Sequence, residues 1–107
     1  MPKIKIAVAG CLGRMSQEII NQALKNKQLL IVGGFEHKSH PMINKKISEA
    51  SNIKSDLIVS SNADKIIKDA DVLIDFTTPA STLLNIKKAA VNKTAIIIGT
   101  TGIISKQ

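Results

Sequence analysis

A doubly wound, parallel α/β sheet is the fold class that three observations predict. Five short apolar runs alternate with segments of helical character, a glycine turn joins the first run to the first helix, and capping residues mark two of the later helices. No repeat, low-complexity tract or linker interrupts the 107 residues, so residues 1–107 are assigned to a single domain.

Ile4 to Ala9 is mostly β-branched and ends at Gly10, the near-continuous apolar pattern of a strand covered on both faces. From Gly13 to Asn26 the residues Met15, Ile19, Ala23 and Leu24 recur at helical spacing, and Asn26-Lys27 closes the segment. Leu29 to Phe35 is a second strand, closed by Glu36. His37 to Asp56 is polar and weakly periodic, with Met42, Ile43, Ile47 and Ile53 able to pin it to the body, and no element is assigned there. Leu57-Ile58-Val59 reads as a third strand, after which Asn62 caps a short helix through Ala70. Val72 to Phe76 is the fourth strand. Thr78 suits an N-cap and Pro79 the first helical position of a helix that carries Leu83, Leu84, Ile86, Ala89 and Ala90 and stops near Asn92. Ala95 to Ile98 is the fifth strand, running into Gly99-Thr100-Thr101-Gly102, and with no element following it this strand is expected to expose an apolar edge and face.

The net charge of +7 raises nucleic-acid or membrane-surface binding, but the lysines are scattered and the two aromatics, Phe35 and Phe76, offer no stacking platform. Neither partner is expected. The charge favours a polyanion in general, and a dinucleotide is one. Cys11 is the only cysteine, which rules out an internal disulfide and an all-cysteine metal site and suggests a reducing, cytoplasmic setting. His37 and His40 lack a further ligand set, so no metal is expected.

In sheets of this class the ligand sits at the carboxyl ends of the strands, near the point where strand order reverses. Gly10 allows a tight turn out of the first strand, and Gly13 lets backbone amides approach a phosphate at the helix amino terminus. The pattern is G-x-x-G-x-x-S rather than G-x-G-x-x-G, with Leu12, Met15 and Ser16 at the departing positions. Alone it fits a structural turn equally well. Its place after a strand, and Glu36 about twenty residues further on, make a Rossmann-type dinucleotide site the better reading. Glu36 would accept from the adenosine ribose hydroxyls and oppose the 2′-phosphate of NADPH; the alternative is a solvated strand-end glutamate. His37, Lys38 and His40 either pair with a 2′-phosphate or face water. Arg14, the only arginine, either forks onto phosphate oxygens or is an exposed first-turn residue. Cys11 is read as a small buried filler rather than a redox sensor. Asp75, a carboxylate in a buried strand, must find partners and is expected to organise neighbouring loop amides. Thr77, Thr78 and the turn from Gly99 to Gly102 supply hydroxyls and amides suited to a nicotinamide carboxamide or its ribose, or serve only as caps.

Taken together, VAGCLGRM (8–15), GGFE (33–36), DFTTP (75–79) and IGTTG (98–102) closely resemble the 4-hydroxy-tetrahydrodipicolinate reductase family, also called dihydrodipicolinate reductase. The resemblance covers essentially the whole chain. It implies an enzyme of the diaminopimelate route to lysine that passes hydride from NADH or NADPH to a cyclic dicarboxylate, typically as a homotetramer. Cofactor contacts then fall on Gly10, Cys11, Leu12, Gly13, Arg14, Met15, Glu36, Gly99, Thr100 and Thr101, with Phe76, Thr77 and Thr78 as weaker candidates. Ser16 stands where family members often have glycine, and His37 where they often have arginine. No catalytic position of the family falls on these residues. The family's substrate domain would follow Gln107, so the chain alone is expected to be inactive. Two other readings compete: the nucleotide domain of another amino-acid-pathway dehydrogenase, such as homoserine or aspartate dehydrogenase, and a non-catalytic dinucleotide-binding module.

Overall fold

In the computed structural model, which describes residues 3–99, strands β1 (Ile4–Ala9), β2 (Leu29–Phe35), β3 (Val59–Ser60), β4 (Val72–Asp75) and β5 (Ala95–Ile98) alternate with helices α1 (Arg14–Leu24), α2 (Ile47–Ala50), α3 (Ala63–Lys68) and α4 (Pro79–Val91). The strands are all parallel and lie in the order β3-β2-β1-β4-β5. The predicted doubly wound sheet is therefore the one observed, with β1 at its centre and the order reversing between β1 and β4.

Each face of the sheet buries its own apolar cluster. Ile6, Val8 and Ile74 join Ile20 of α1 on one face, while Ala7, Leu73 and Phe35 join Ile67 of α3 and Ala89 of α4 on the other. Alternation along β1 sends successive side chains to opposite clusters, which is why a central strand reads as a continuous apolar run. The alternation breaks once in β2. Ile6 pairs with Ile31 but Ala7 with Gly33, leaving Val32 as an extra residue in a bulge.

The capping residues act as the sequence predicts. Asn62 accepts from the Lys65 N–H at 3.1 Å, and Thr78 accepts from the Ser81 N–H at 3.3 Å with Pro79 at the first position of α4.

Two elements differ from expectation. The third strand is Val59–Ser60, not Leu57 to Val59, because the segment before it has claimed the earlier backbone: Ile47 donates to the Leu57 carbonyl, Val59 donates to that of Lys45, and Lys46 bridges Ile58 antiparallel. The single-turn helix α2 has no counterpart in the sequence reading, since four residues are too few to show a period. Its purpose is anchorage: Ile47 and Ile53 are both fully buried in the α1-side cluster.

β5 is the most exposed strand, with Ile97 57 % accessible against 9 % for Ile74, its pairing partner on β4. Among the described residues no helix is long and apolar enough to cross a membrane.

Candidate dinucleotide-binding cleft

A cleft of about 630 Å³ opens at the carboxyl ends of β1, β2 and β4, where strand order reverses. Its rim begins with the turn between β1 and α1. Gly10 has a φ of +64°, and a Cβ there would lie 2.8 Å from the Thr77 methyl, so both backbone strain and contact demand glycine. The Gly10 N–H donates to the Phe35 carbonyl and the Gly13 N–H to the Gly10 carbonyl, which closes the turn.

Gly13 is the N-cap of α1 and leaves that helix without a side-chain cap or an acidic residue in its first turn. Uncapped amides and the positive end of the helix dipole are thus presented with no competing anion from the helix itself. Glu36, at the end of β2, reaches back so that its Oε2 accepts from the Leu12 N–H at 2.8 Å. One carboxylate oxygen therefore braces the turn, and the other is left for a ligand.

Cys11 lies beneath the turn rather than in the cleft. It is fully buried, and a Cβ on Gly34 would sit 2.7 Å from its own Cβ, so the turn lies close to the sheet only because Gly34 lacks a side chain. Burial, with a smaller push from the Glu36 carboxylate, raises the thiol pKa to about 12. The neutral thiol's contribution to stability is intact below the ordinary thiol range and is lost as pH climbs through it towards 12. At pH 8 the thiolate fraction falls about a thousandfold relative to an ordinary thiol. Alkylation of the native protein by iodoacetamide should be slower by at least that factor than alkylation in denaturant, and equal rates would contradict the buried assignment.

The opposite wall comes from β4 and α4. Asp75 is completely buried; its Oδ1 accepts from the Thr77 N–H at 2.8 Å, the Thr77 hydroxyl at 2.6 Å and the Thr82 hydroxyl at 3.0 Å. Its Oδ2 accepts from Asn85 Nδ2 at 2.9 Å. The expectation that Asp75 organises a loop amide agrees with the Thr77 contact, and two helix side chains complete its shell. Phe76 is held at the mouth by Gly99, where any Cβ would overlap the ring.

Of the predicted contacts, Gly10, Gly13, Glu36, Phe76, Thr77 and Thr78 line the cleft together, as do His37 and Lys38. Arg14 and Met15 are exposed outside it, and Arg14 forms no ion pair among the described residues. Leu12 and Gly99 border it through backbone hydrogen bonds and packing rather than as lining. Thr100 and Thr101 lie outside the described residues. The sequence reading missed the wall provided by α3 and α4, including Ala63, Ser81, Leu84, Asn85 and Lys88. Positions 81, 84, 85 and 88 share one helix face, so helical spacing from Thr78 is the signal that marks them.

A family model described as "Dihydrodipicolinate reductase, N-terminus" matches residues 4–107. The chain belongs to that family. It is 40 % identical over 107 residues to the 4-hydroxy-tetrahydrodipicolinate reductase of Pelagibacter ubique, spanning all of this chain and 38 % of the relative. The reductase of that name from Methanococcus aeolicus is 37 % identical over 97 % of this chain and 40 % of its own length. Among solved structures, the dipicolinate-bound dihydrodipicolinate reductase of Paenisporosarcina sp. TG-14 superposes with a TM-score of 0.73 at 28 % identity, covering 94 % of this chain and 38 % of that one. An aspartate semialdehyde dehydrogenase with NADP from Candida albicans reaches the same TM-score at 19 % identity, which shows the shared fold alone. The chain thus spans about two fifths of the length of the curated relatives it matches.

Proposed function

We propose that residues 1–107 form the nicotinamide-cofactor half of a 4-hydroxy-tetrahydrodipicolinate reductase of lysine biosynthesis, and that the groups holding the cyclic dicarboxylate come from polypeptide beyond these residues. The observation that carries this is the pairing of an uncapped helix amino terminus at Gly13 with a carboxylate at Glu36 that is tied to the same turn. The residues fit a dinucleotide. A Cβ on Gly13 would stand 3.2 Å from the Gly10 carbonyl, so glycine keeps the turn tight, and the first amides of α1 carry no side-chain cap where a pyrophosphate would lie. The remaining Glu36 oxygen accepts from a ribose hydroxyl.

When bound, the reduced nicotinamide supplies the hydride; this chain's part is to grip the other end of the molecule. The first amides of α1 would hold the pyrophosphate and Glu36 the adenosine ribose, while Phe76 with Thr77 and Thr78 borders the cleft next to the turn. NADH should bind at least as tightly as NADPH. Glu36 opposes a 2′-phosphate, and the cations beside it are weak substitutes for a fork: Lys38 is a flexible ammonium, and His37 Nδ1 is engaged by the Ser39 N–H and hydroxyl.

Calorimetric titration with both dinucleotides tests the reading. Glu36→Gln keeps an acceptor for the Leu12 amide while removing the charge, so it should shift the preference towards NADPH about tenfold. An unmodified chain that clearly prefers NADPH, or that binds neither, would overturn the role given to Glu36 or the site itself.

A further inference from the structure

Resting on the dinucleotide reading, we propose that Asn85 selects the adenine base: its side-chain oxygen accepts from the exocyclic amine of adenine and rejects a purine that carries oxygen at that position. Asn85 lines the cleft yet is only 6 % exposed, and its amide nitrogen donates to Asp75, which is wholly buried. A carboxylate can only accept. That fixes the amide, because the flipped orientation would set its oxygen against Asp75 Oδ2. Asp75 is itself anchored by Thr77 and Thr82 through its other oxygen, so the carboxylate stays in place and the amide must present its N–H to it. Among the described residues Oδ1 of Asn85 has no hydrogen-bond partner.

The cleft dictates what meets this oxygen. With pyrophosphate over Gly10 to Gly13 and ribose at Glu36, the base continues away from the turn, between Ala63 at the start of α3 and Leu84 on α4. Asn85 is the buried polar group on that wall. Ser61 and Ser81 also line this end, but their hydroxyls rotate and serve as donor or acceptor alike. The Lys88 ammonium lies 3.7 Å from the Asp64 carboxylate. Only a fixed amide oxygen distinguishes a donating amine from an accepting carbonyl. The amide's second N–H can complete a two-point contact with a ring nitrogen beside the amine, the pairing that asparagine makes with adenine elsewhere.

The test is calorimetry with NADH and with reduced nicotinamide hypoxanthine dinucleotide, in which oxygen replaces the adenine amine and the neighbouring N1 carries a hydrogen. The unmodified protein should bind the hypoxanthine compound at least about tenfold more weakly, since a bond is lost and two acceptors are opposed. Asn85→Ser, which replaces the fixed amide oxygen by a shorter hydroxyl that rotates to donate or accept, should bring the two affinities within about threefold. Equal affinities in the unmodified protein would overturn the proposal while leaving the cofactor site standing, and no variant is needed to see it. Undiminished selectivity in Asn85→Ser would overturn the assignment to Asn85. Failure of NADH itself to bind overturns the cofactor reading and this one with it.

Discussion

Replacing Gly13 by aspartate is expected to weaken NADH binding at least about a hundredfold while leaving the thermal midpoint nearly unchanged. Gly13 has φ −68° and ψ 157°, an extended conformation that aspartate adopts freely and that an N-cap requires. The new carboxylate would accept from the first amides of α1, so it occupies the groups a pyrophosphate needs and adds a like charge beside them. The helix gains a cap, which offsets the crowding of the new Cβ at 3.2 Å from the Gly10 carbonyl. Loss of binding without loss of stability is the signature of a blocked anion site rather than a broken fold. Calorimetry and thermal unfolding of the same preparation read both quantities; undiminished NADH affinity would remove the phosphate from this turn.

The second large effect concerns turnover. This chain saturated with NADH should show no measurable reduction of the cyclic substrate, whereas a polypeptide extended to the full length of the relatives should reduce it. Hydride transfer needs the acceptor carbon held against the nicotinamide, and such orientation accounts for ~7–11 kcal/mol of a barrier. The described residues supply nothing suited to grip a dicarboxylate or deliver a proton there. His37 lies with Glu36 in the cleft, and the nearby His40 Nδ1 accepts from the Met42 N–H in the connecting segment. NADH oxidation followed at equal cofactor occupancy compares the two, and comparable rates would refute the division of labour proposed here.

Much of the fold could be read in advance because its signals are local. Asn62, Thr78 and Pro79 mark helix starts through their own side chains, and Gly10 marks the turn through a backbone conformation that few residues tolerate. The errors lie where distant partners decide. Nothing in Leu57-Ile58 foretells that residues 44–47 will take their backbone groups, so the third strand begins two residues later than its apolar run predicts. The cleft shows the same division. Its Gly10, Gly13, Glu36 and Thr77 rim follows from motif and strand ends, while Asn85 is distinguished only by Asp75, ten positions away, which holds its amide. A helix face lining a cleft and one facing water carry similar residues. Only the sheet's closure tells them apart.

The extra residue in β2 has a consequence for how this strand tolerates change. Val32 and Gly33 both face the α3 side, Val32 against the cluster there and Gly33 beneath Ile66, before Gly34 turns to Cys11 and Phe35 returns to the α3 side. The bulge thus divides β2 into two segments of opposite phase. The first, with Leu29 and Ile31, is set by the packing of the sheet, and the second, from Gly33 to Glu36, by the distance to the turn. A one-residue insertion or deletion in the first segment can be absorbed by moving the irregularity along the strand. The same change after Gly33 would turn Phe35 out of its core and carry the Glu36 carboxylate away from the Leu12 amide, so the two halves of one strand are under separate constraints.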